Sequence, residues 1–277
     1  MERFYIITNE MKDPDFQVTH RICDYIRSCN RECILAQKDT KGYILPESIP
    51  SDIDCALVLG GDGTLIQAAR ELRGTGIPIL GINMGTLGYL AEVEVNNIEE
   101  NLSRLFTNNY YMEFRMMMQG SVNGAPPKSA VNDIVITREG SLRIVHFDIY
   151  VDGELLNSYK ADGVIISTPT GSTGYNLSAG GPIVEPTAQM FVITPICPHS
   201  LNTSSIVLSA EDRIEIEIGK ARYGGTEQTS VSFDGKEGIS LTTGDRIRIE
   251  RMGESAGFIK LSNESFLKTM RRKMKGN

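Results

Sequence analysis

Apolar and polar positions follow two rhythms along this chain, and the change of rhythm divides it. In the first part, short apolar runs at residues 4–8, 33–36, 54–59 and 77–82 read as strands. Phe16, Ile22, Tyr25 and Ile26 share one face of a helix predicted over 13–30, and a second helix follows over 65–72. Strands alternating with helices predict parallel βα units in an open sheet, whose ligands sit at the carboxyl ends of the strands. From Tyr111 onward the period shortens to two. Residues 129–137, 148–156, 163–167, 206–208, 213–218 and 245–250 read as strands, with a hairpin turn at Asp152-Gly153. A strand at 257–261 and a short helix through Met270, capped within Ser262-Asn263-Glu264, end the pattern. An α/β part followed by a mainly β part is therefore expected, with a boundary near Phe114 and Arg115.

Composition narrows the function more than the fold. With 277 residues, 40% hydrophobic and 23% charged, the chain can build one large or two ordinary globular domains. The net charge of −7 argues against a surface that coats nucleic acid, yet a local pocket can still take an anion. Five cysteines (Cys23, Cys29, Cys33, Cys55 and Cys197) form no CxxC pair, and there are three histidines. Neither a zinc site nor a disulfide framework is expected, and Cys23 and Cys29 read as small buried hydrophobes on the first helix. No signal-like apolar region and no run approaching the ~20 apolar residues of a membrane span is present. A soluble cytoplasmic protein is expected, without nucleic-acid or membrane partners. The basic end, Arg271-Arg272-Lys273 with Lys275, reads as a solvated tail or as complement to a helix C-terminus.

Three stretches carry candidate chemistry. The run Ala56-Leu57-Val58-Leu59 leads into Gly60-Gly61-Asp62-Gly63-Thr64. Such a strand, glycine turn and helix points backbone N–H groups at whatever lies above the strand, which suits phosphate, and Asp62 adds a base or a metal ligand. An ordinary βα turn with an exposed Asp is the alternative. Asp162-Gly163 opens an apolar strand that runs into Thr168-Pro169-Thr170-Gly171-Ser172-Thr173-Gly174-Tyr175-Asn176-Leu177-Ser178. Its hydroxyls can bond a polyhydroxylated ligand and Tyr175 can stack, or it is a polar surface loop. Asn132-Asp133 opens another apolar strand, either to read an adenine edge or ribose hydroxyls or as an Asx cap. No GxxxxGK[ST], GxGxxG, G-x-S-x-G or kinase-type catalytic loop occurs, and His20, His146 and His199 are far apart.

In order and spacing, Gly60-Gly61-Asp62-Gly63-Thr64, Asn132-Asp133 and the run from Asp162 to Tyr175 resemble the NAD kinase family, over roughly residues 55 to 240. The Gly-Gly-Asp-Gly-Thr element also resembles lipid kinases and, more loosely, phosphofructokinases; the Thr-Pro-Thr-Gly-Ser-Thr element is much more specific. The resemblance implies phosphoryl transfer from ATP or another phosphate donor to the 2′-hydroxyl of the adenosine ribose of NAD, giving NADP. It implies a Rossmann-like α/β domain over 1–114, a β-sandwich-like NAD-binding domain over 115–252, and a segment 253–277 that packs back on the first domain. Asp62 would be the general base. Gly60, Gly61, Gly63 and Thr64 would cradle the donor phosphates, with Mg²⁺ or another divalent metal arriving with ATP and no residue assigned to it. NAD contacts would come from Asp62, Gly63, Asn132, Asp133, Arg143, Lys160, Asp162, Thr173, Gly174, Tyr175, Asn176, Leu177, Ser178 and Cys197. A homodimer or homotetramer is implied, with sites near subunit interfaces and Asp162 acting across one.

The chain departs from the family at several positions. Gly174 replaces a common Ala, Asp133 a Glu one methylene longer, Lys160 an Arg, and Lys236 a Gln. Cys197 either lines the site or is a buried thiol. A lipid kinase would continue with Asn-Glu where Ile66-Gln67 stand here, and a dinucleotide-binding regulator without catalysis would not need Asp62.

Overall fold

The computed structural model describes residues 1–85, 88–140, 144–199, 204–220, 225–236, 238–262 and 264–274. Asn263 and Lys275 lie outside the described residues. In chain order the elements are β1 (Arg3–Thr8), α1 (Gln17–Ser28), β2 (Glu32–Leu35), β3 (Cys55–Gly60), α2 (Asp62–Glu71), β4 (Ile79–Asn83), β5 (Val93–Glu94), α3 (Ile98–Phe106), β6 (Tyr111–Val122), β7 (Lys128–Ala130), β8 (Asp133–Arg138), β9 (Val145–Val151), β10 (Glu154–Ala161) and β11 (Gly163–Ser167). There follow α4 (Tyr175–Ser178), β12 (Met190–Ile196), β13 (Ile206–Ser209), β14 (Ile214–Ile218), β15 (Gln228–Phe233), β16 (Ile239–Thr242), β17 (Arg246–Lys260) and α5 (Phe266–Met274). Two compact units result: Met1–Phe114 with Ala256–Asn277, and Arg115–Ser255. None of the described helices is long and apolar enough to cross a membrane.

The first unit is a parallel sheet in the order β4-β3-β1-β2, covered by helices. Beyond β4, Phe258 pairs with Ile79 and Val93 with Ile82, both in the parallel sense. Burial on both faces explains why these strands read as unbroken apolar runs. Phe4, Ile6, Leu57, Leu59, Leu80 and Ile82 form one core with Ile22 and Ile26 of α1 and Leu102 and Leu105 of α3. The first helix begins at Gln17, four residues later than the periodicity predicts at Asp13. Phe16 takes a left-handed φ of 54°, and Asp13 caps the helix from outside, accepting from the Val18 and Thr19 N–H groups at 3.2 and 2.9 Å. The cysteine expectation is also corrected. Cys23 of α1 and Cys33 of β2 form a disulfide with Cα atoms 5.6 Å apart, because the helix packs its buried face over that strand.

The second unit is built from antiparallel strands. One sheet runs β13-β12-β11-β8-β15-β16. Another joins β10, β9, β14 and β17 in order, with β6 beside β17 and β7 beside β6. Ile134, Ile136, Val164, Ile166 and Ile193 of the first meet Phe147, Ile149, Ile216, Ile247 and Ile249 of the second in a single core, the arrangement of a sandwich. The hairpin at Asp152-Gly153 forms as read, with φ of 50° and 87° at the two turn residues. The strand read over 129–137 is instead two, β7 and β8. Where β7 gives way to β8, the Val131, Asn132 and Asp133 N–H groups turn to the Asp234 carboxylate. The strands read at 245–250 and 257–261 are one, β17.

Candidate active site

In the first unit, β3 delivers Gly60 to the carboxyl edge of the sheet and α2 starts two residues on. Gly61 is extended (φ −115°, ψ −174°); the Thr64 and Leu65 N–H groups close onto its carbonyl at 2.9 and 3.1 Å, and the Asp62 and Gly63 amides have no carbonyl one turn back in the helix. The glycines serve different ends. A Cβ on Gly60 would collide with the Thr64 side chain, whereas one on Gly63 would meet nothing within 4 Å, so that face of the turn is open. Asp62 turns toward the 88–90 segment, where Oδ2 accepts from the Tyr89 N–H at 2.7 Å and Oδ1 from the Leu90 N–H at 3.1 Å. Gly88 makes this possible, since a Cβ there would overlap the carboxylate. Burial, with the Asp62 charge nearby, pushes the Tyr89 phenol above its usual pKa.

A cavity of about 700 Å³ lies against this turn, lined by Gly61, Gly63 and Thr64 together with Asn9, Lys12, Lys38 and Lys41. The sequence reading assigned none of those last four. Their signal was weak, short polar stretches after the first and second strands, which become informative only when β1 is seen to lie between β3 and β2. Asn9 Nδ2 donates to Thr64 Oγ1 at 3.0 Å. Beside Gly60 in the sheet, Asn83 is buried; its Nδ2 donates to the Gly85 carbonyl at 2.7 Å and its Oδ1 has no partner among the described residues. Among the described residues no three His, Cys, Asp or Glu side chains cluster to hold a metal ion.

In the second unit, the loop after β11 and the start of β8 are built into each other. The Thr168 N–H and hydroxyl donate to the Asn132 and Val131 carbonyls at 2.8 and 2.6 Å. A Cβ on Gly171 would collide with the Asn132 carbonyl, and one on Gly174 would stand 3.8 Å from Asn132 Nδ2. Asn132, Asp133, Thr173 and Gly174 are thereby brought together. Tyr175, Leu177 and Ser178 are exposed on α4, Tyr175 at 45%. The expected ligand-facing hydroxyls are corrected in part. Ser167, Thr168 and Ser172 are fully buried and bond within the unit, because a loop folded into the interior must satisfy its own polar atoms. Asn176 is likewise wholly buried. Its amide donates to the Ser172 and Pro182 carbonyls and accepts from Thr194 Oγ1, so this side chain holds the turn.

Asp133 is buried, and that burial, with the Asp234 charge beside it, raises its carboxyl from the usual 3.8 to about 7. Asp234, absent from the expected site residues, sits at a left-handed turn (φ 50°) and returns its own N–H to the Asp133 carbonyl at 3.0 Å. Asp162 is held by Arg138, with Nε 3.2 Å from Oδ1. Lys160 is exposed. Cys197 is exposed too, at a φ of 46°, which removes the buried-thiol alternative. Arg143 lies outside the described residues.

A parallel α/β unit with a carboxylate fixed at a glycine turn, and a β sandwich presenting an Asn-Asp pair close to an exposed tyrosine, are the two parts of a phosphotransferase class, as the family matches show. Residues 6–110 match the ATP-NAD kinase N-terminal domain and residues 131–261 the ATP-NAD kinase C-terminal domain. The NAD kinase of Lachnospira eligens is 44% identical over 293 residues, covering 99% of this chain and all of that one. The NAD kinase of Lachnoclostridium phytofermentans is 43% identical, covering 99% of each. An NAD kinase from Archaeoglobus fulgidus, solved in complex with ATP, superposes with a TM-score of 0.79 at 26% identity, over 99% of this chain and 98% of that one. Yeast NADH kinase, complexed with NADH, has the same fold (TM-score 0.81, 24% identity, 100% and 88% covered). The chain belongs to the NAD kinase family.

Proposed function

We propose that the protein transfers the γ-phosphoryl group of ATP to the 2′-hydroxyl of the adenosine ribose of NAD, with Asp62 as general base. The observation that carries this reading is the fixing of Asp62 at the glycine turn by two backbone donors. Each carboxylate oxygen accepts one N–H bond and keeps a second acceptor site, so the group is oriented and still able to take a proton. An alcohol is a poor nucleophile until its proton has an acceptor. The ribose oxygen bonds to the γ-phosphorus, its proton passes to Asp62, the bond to the β,γ-bridging oxygen breaks, and ADP leaves.

Gly60, Gly61, Gly63 and Thr64 form the donor side, where the open face of Gly63 and the Asp62 and Gly63 amides at the start of α2 suit phosphate. Bound Mg²⁺ would supply charge neutralisation on the triphosphate. It commonly takes one or two carboxylates plus phosphates and waters, and the hard oxygen donors here, Asp62 and Asn83 Oδ1, fit that habit. On the NAD side we assign Asn132, Asp133, Lys160, Asp162, Thr173, Gly174, Leu177, Ser178 and Cys197, with Tyr175 as the stacking ring. Asn176 acts by holding that loop. We assign the domain limits 1–114, 115–252 and 253–277, a homodimer or homotetramer with sites near its interfaces, and a place in the cytoplasm, where NAD and ATP meet.

The test is incubation with NAD, ATP and Mg²⁺, reading NADP with an NADP-specific dehydrogenase. No NADP from the wild type refutes the activity. Asp62→Asn should bind NAD but lose about 100- to 10,000-fold in kcat, the range of general-base catalysis; wild-type turnover removes Asp62 from that role.

A further inference from the structure

We propose that Lys12 is a catalytic residue whose ammonium contacts the phosphoryl group in transfer; this rests on the phosphotransfer reading above. Four residues, Asn9 to Lys12, join β1 to the Asp13 cap of α1. The Asn9 N–H donates to the Leu59 carbonyl of β3 at 2.8 Å, which continues the sheet one residue past the strand. Asn9 Oδ1 accepts from the Met11 N–H at 3.1 Å, an Asx turn, and the Asn9 carbonyl accepts from the Lys12 and Asp13 N–H groups at 2.9 and 3.1 Å. Its amide nitrogen reaches Thr64 of the glycine turn. On the other side, the buried Asp13 carboxylate is locked by the Val18 and Thr19 N–H groups and the Thr19 hydroxyl. A lysine meant only for solvation needs no loop pinned at both ends.

The loop carries Lys12 back over the glycines. A Cβ built on Gly61 would lie 3.1 Å from Lys12 Nζ, and one on Gly85 would lie 3.2 Å away. Two glycine-bearing turns, one from the end of β3 and one from the end of β4, therefore meet at a single ammonium, at the sheet edge where α2 begins. No described carboxylate forms an ion pair with Lys12, whereas Lys38, in the same cavity, donates to the Thr8 carbonyl and stands 3.4 Å from Glu10. Among the described residues Lys12 is thus a placed cation without a counterion, facing two glycines that leave it room. Charge on the equatorial oxygens of the transferring phosphoryl group is what such a cation stabilises.

The experiment compares wild type with Lys12→Met and Lys12→Arg, measuring kcat, KM for NAD and KM for ATP. It also measures the affinity of a fluorescent ATP analogue in the absence of NAD. Lys12 is exposed, so the unfolding midpoint serves as a folding check. Lys12→Met should lose about 100- to 1,000-fold in kcat with KM for NAD within about twofold, and Lys12→Arg should recover about tenfold or more of that loss. A Lys12→Met kcat within about threefold of wild type overturns the proposal. If the wild type makes no NADP, the activity reading fails, and Lys12 is then judged by the ATP analogue. Weakening of about tenfold or more in Lys12→Met supports its phosphate contact, and equal affinities overturn it.

Discussion

Replacing Asp133 with Asn should change how stability depends on pH, and the structure sets both the sign and the size. In the native protein burial, reinforced by Asp234, holds the Asp133 proton up to about pH 7, whereas the unfolded chain releases it near 3.8. The difference corresponds to about 4 kcal/mol between the two protonation states. Below the unfolded value both states are protonated and the group contributes its full stability. Between pH 4 and 7 the unfolded state alone has lost the proton, so unfolding is favoured by about 1.4 kcal/mol for each unit of pH. Above 7 the loss is complete and the curve is flat. Asn keeps the shape of the side chain and never ionises, so any fixed packing cost cancels when the variant is compared with itself at two pH values. The chain has no tryptophan, so urea unfolding is best followed by far-UV circular dichroism. Between about pH 5 and pH 8 the difference in unfolding free energy should move by about 3 kcal/mol in favour of Asp133→Asn. A difference constant to within about 0.5 kcal/mol would show that Asp133 is ionised in the native state at pH 5, and the reasoning would fail.

Two further outcomes follow from close packing in the first unit. Gly88→Ala places a methyl group where the Asp62 carboxylate lies, so kcat should fall about 100-fold and the thermal midpoint should drop with the lost Tyr89 and Leu90 bonds; an unchanged kcat would show that Asp62 can work from another position. Lys260→Met leaves Glu92, whose side chain is 5% exposed, without its ammonium partner at 2.6 Å. Because the Leu261 and Ser262 N–H groups still bond that carboxylate at 3.0 and 2.6 Å, the expected loss is about 3 kcal/mol, read as a lower urea midpoint.

Local chemistry determined much of what this protein is. Buried runs such as Ala56–Leu59, with no polar position to place on a solvent face, could only be interior parallel strands, and they are. Alternation in Ile214-Glu215-Ile216-Glu217-Ile218 dictated a strand with one buried face. Asp152-Gly153 dictated its own hairpin, because both residues tolerate a positive φ. The Gly60–Thr64 turn and the Thr168–Tyr175 loop were visible as motifs, and they carried the family.

What the sequence left open depends on partners distant along the chain. Asp234 breaks the strand before β8 from a hundred residues away, and nothing in residues 131–133 announces it. Ser167, Thr168, Ser172 and Asn176 look like ligand-facing groups by type, yet their polar atoms are taken up inside the unit, which depends on what the fold packs around them. Cys23 and Cys33 became a pair only when α1 lay over β2. Lys12 stands some fifty residues before the glycine turn, and only the pairing of β1 with β3 sets it there. Periodicity records which face of an element is buried, because that depends on residues within a few positions. It does not record which polar group meets which, because that depends on sheet order and register, and these arise only when the whole chain has packed.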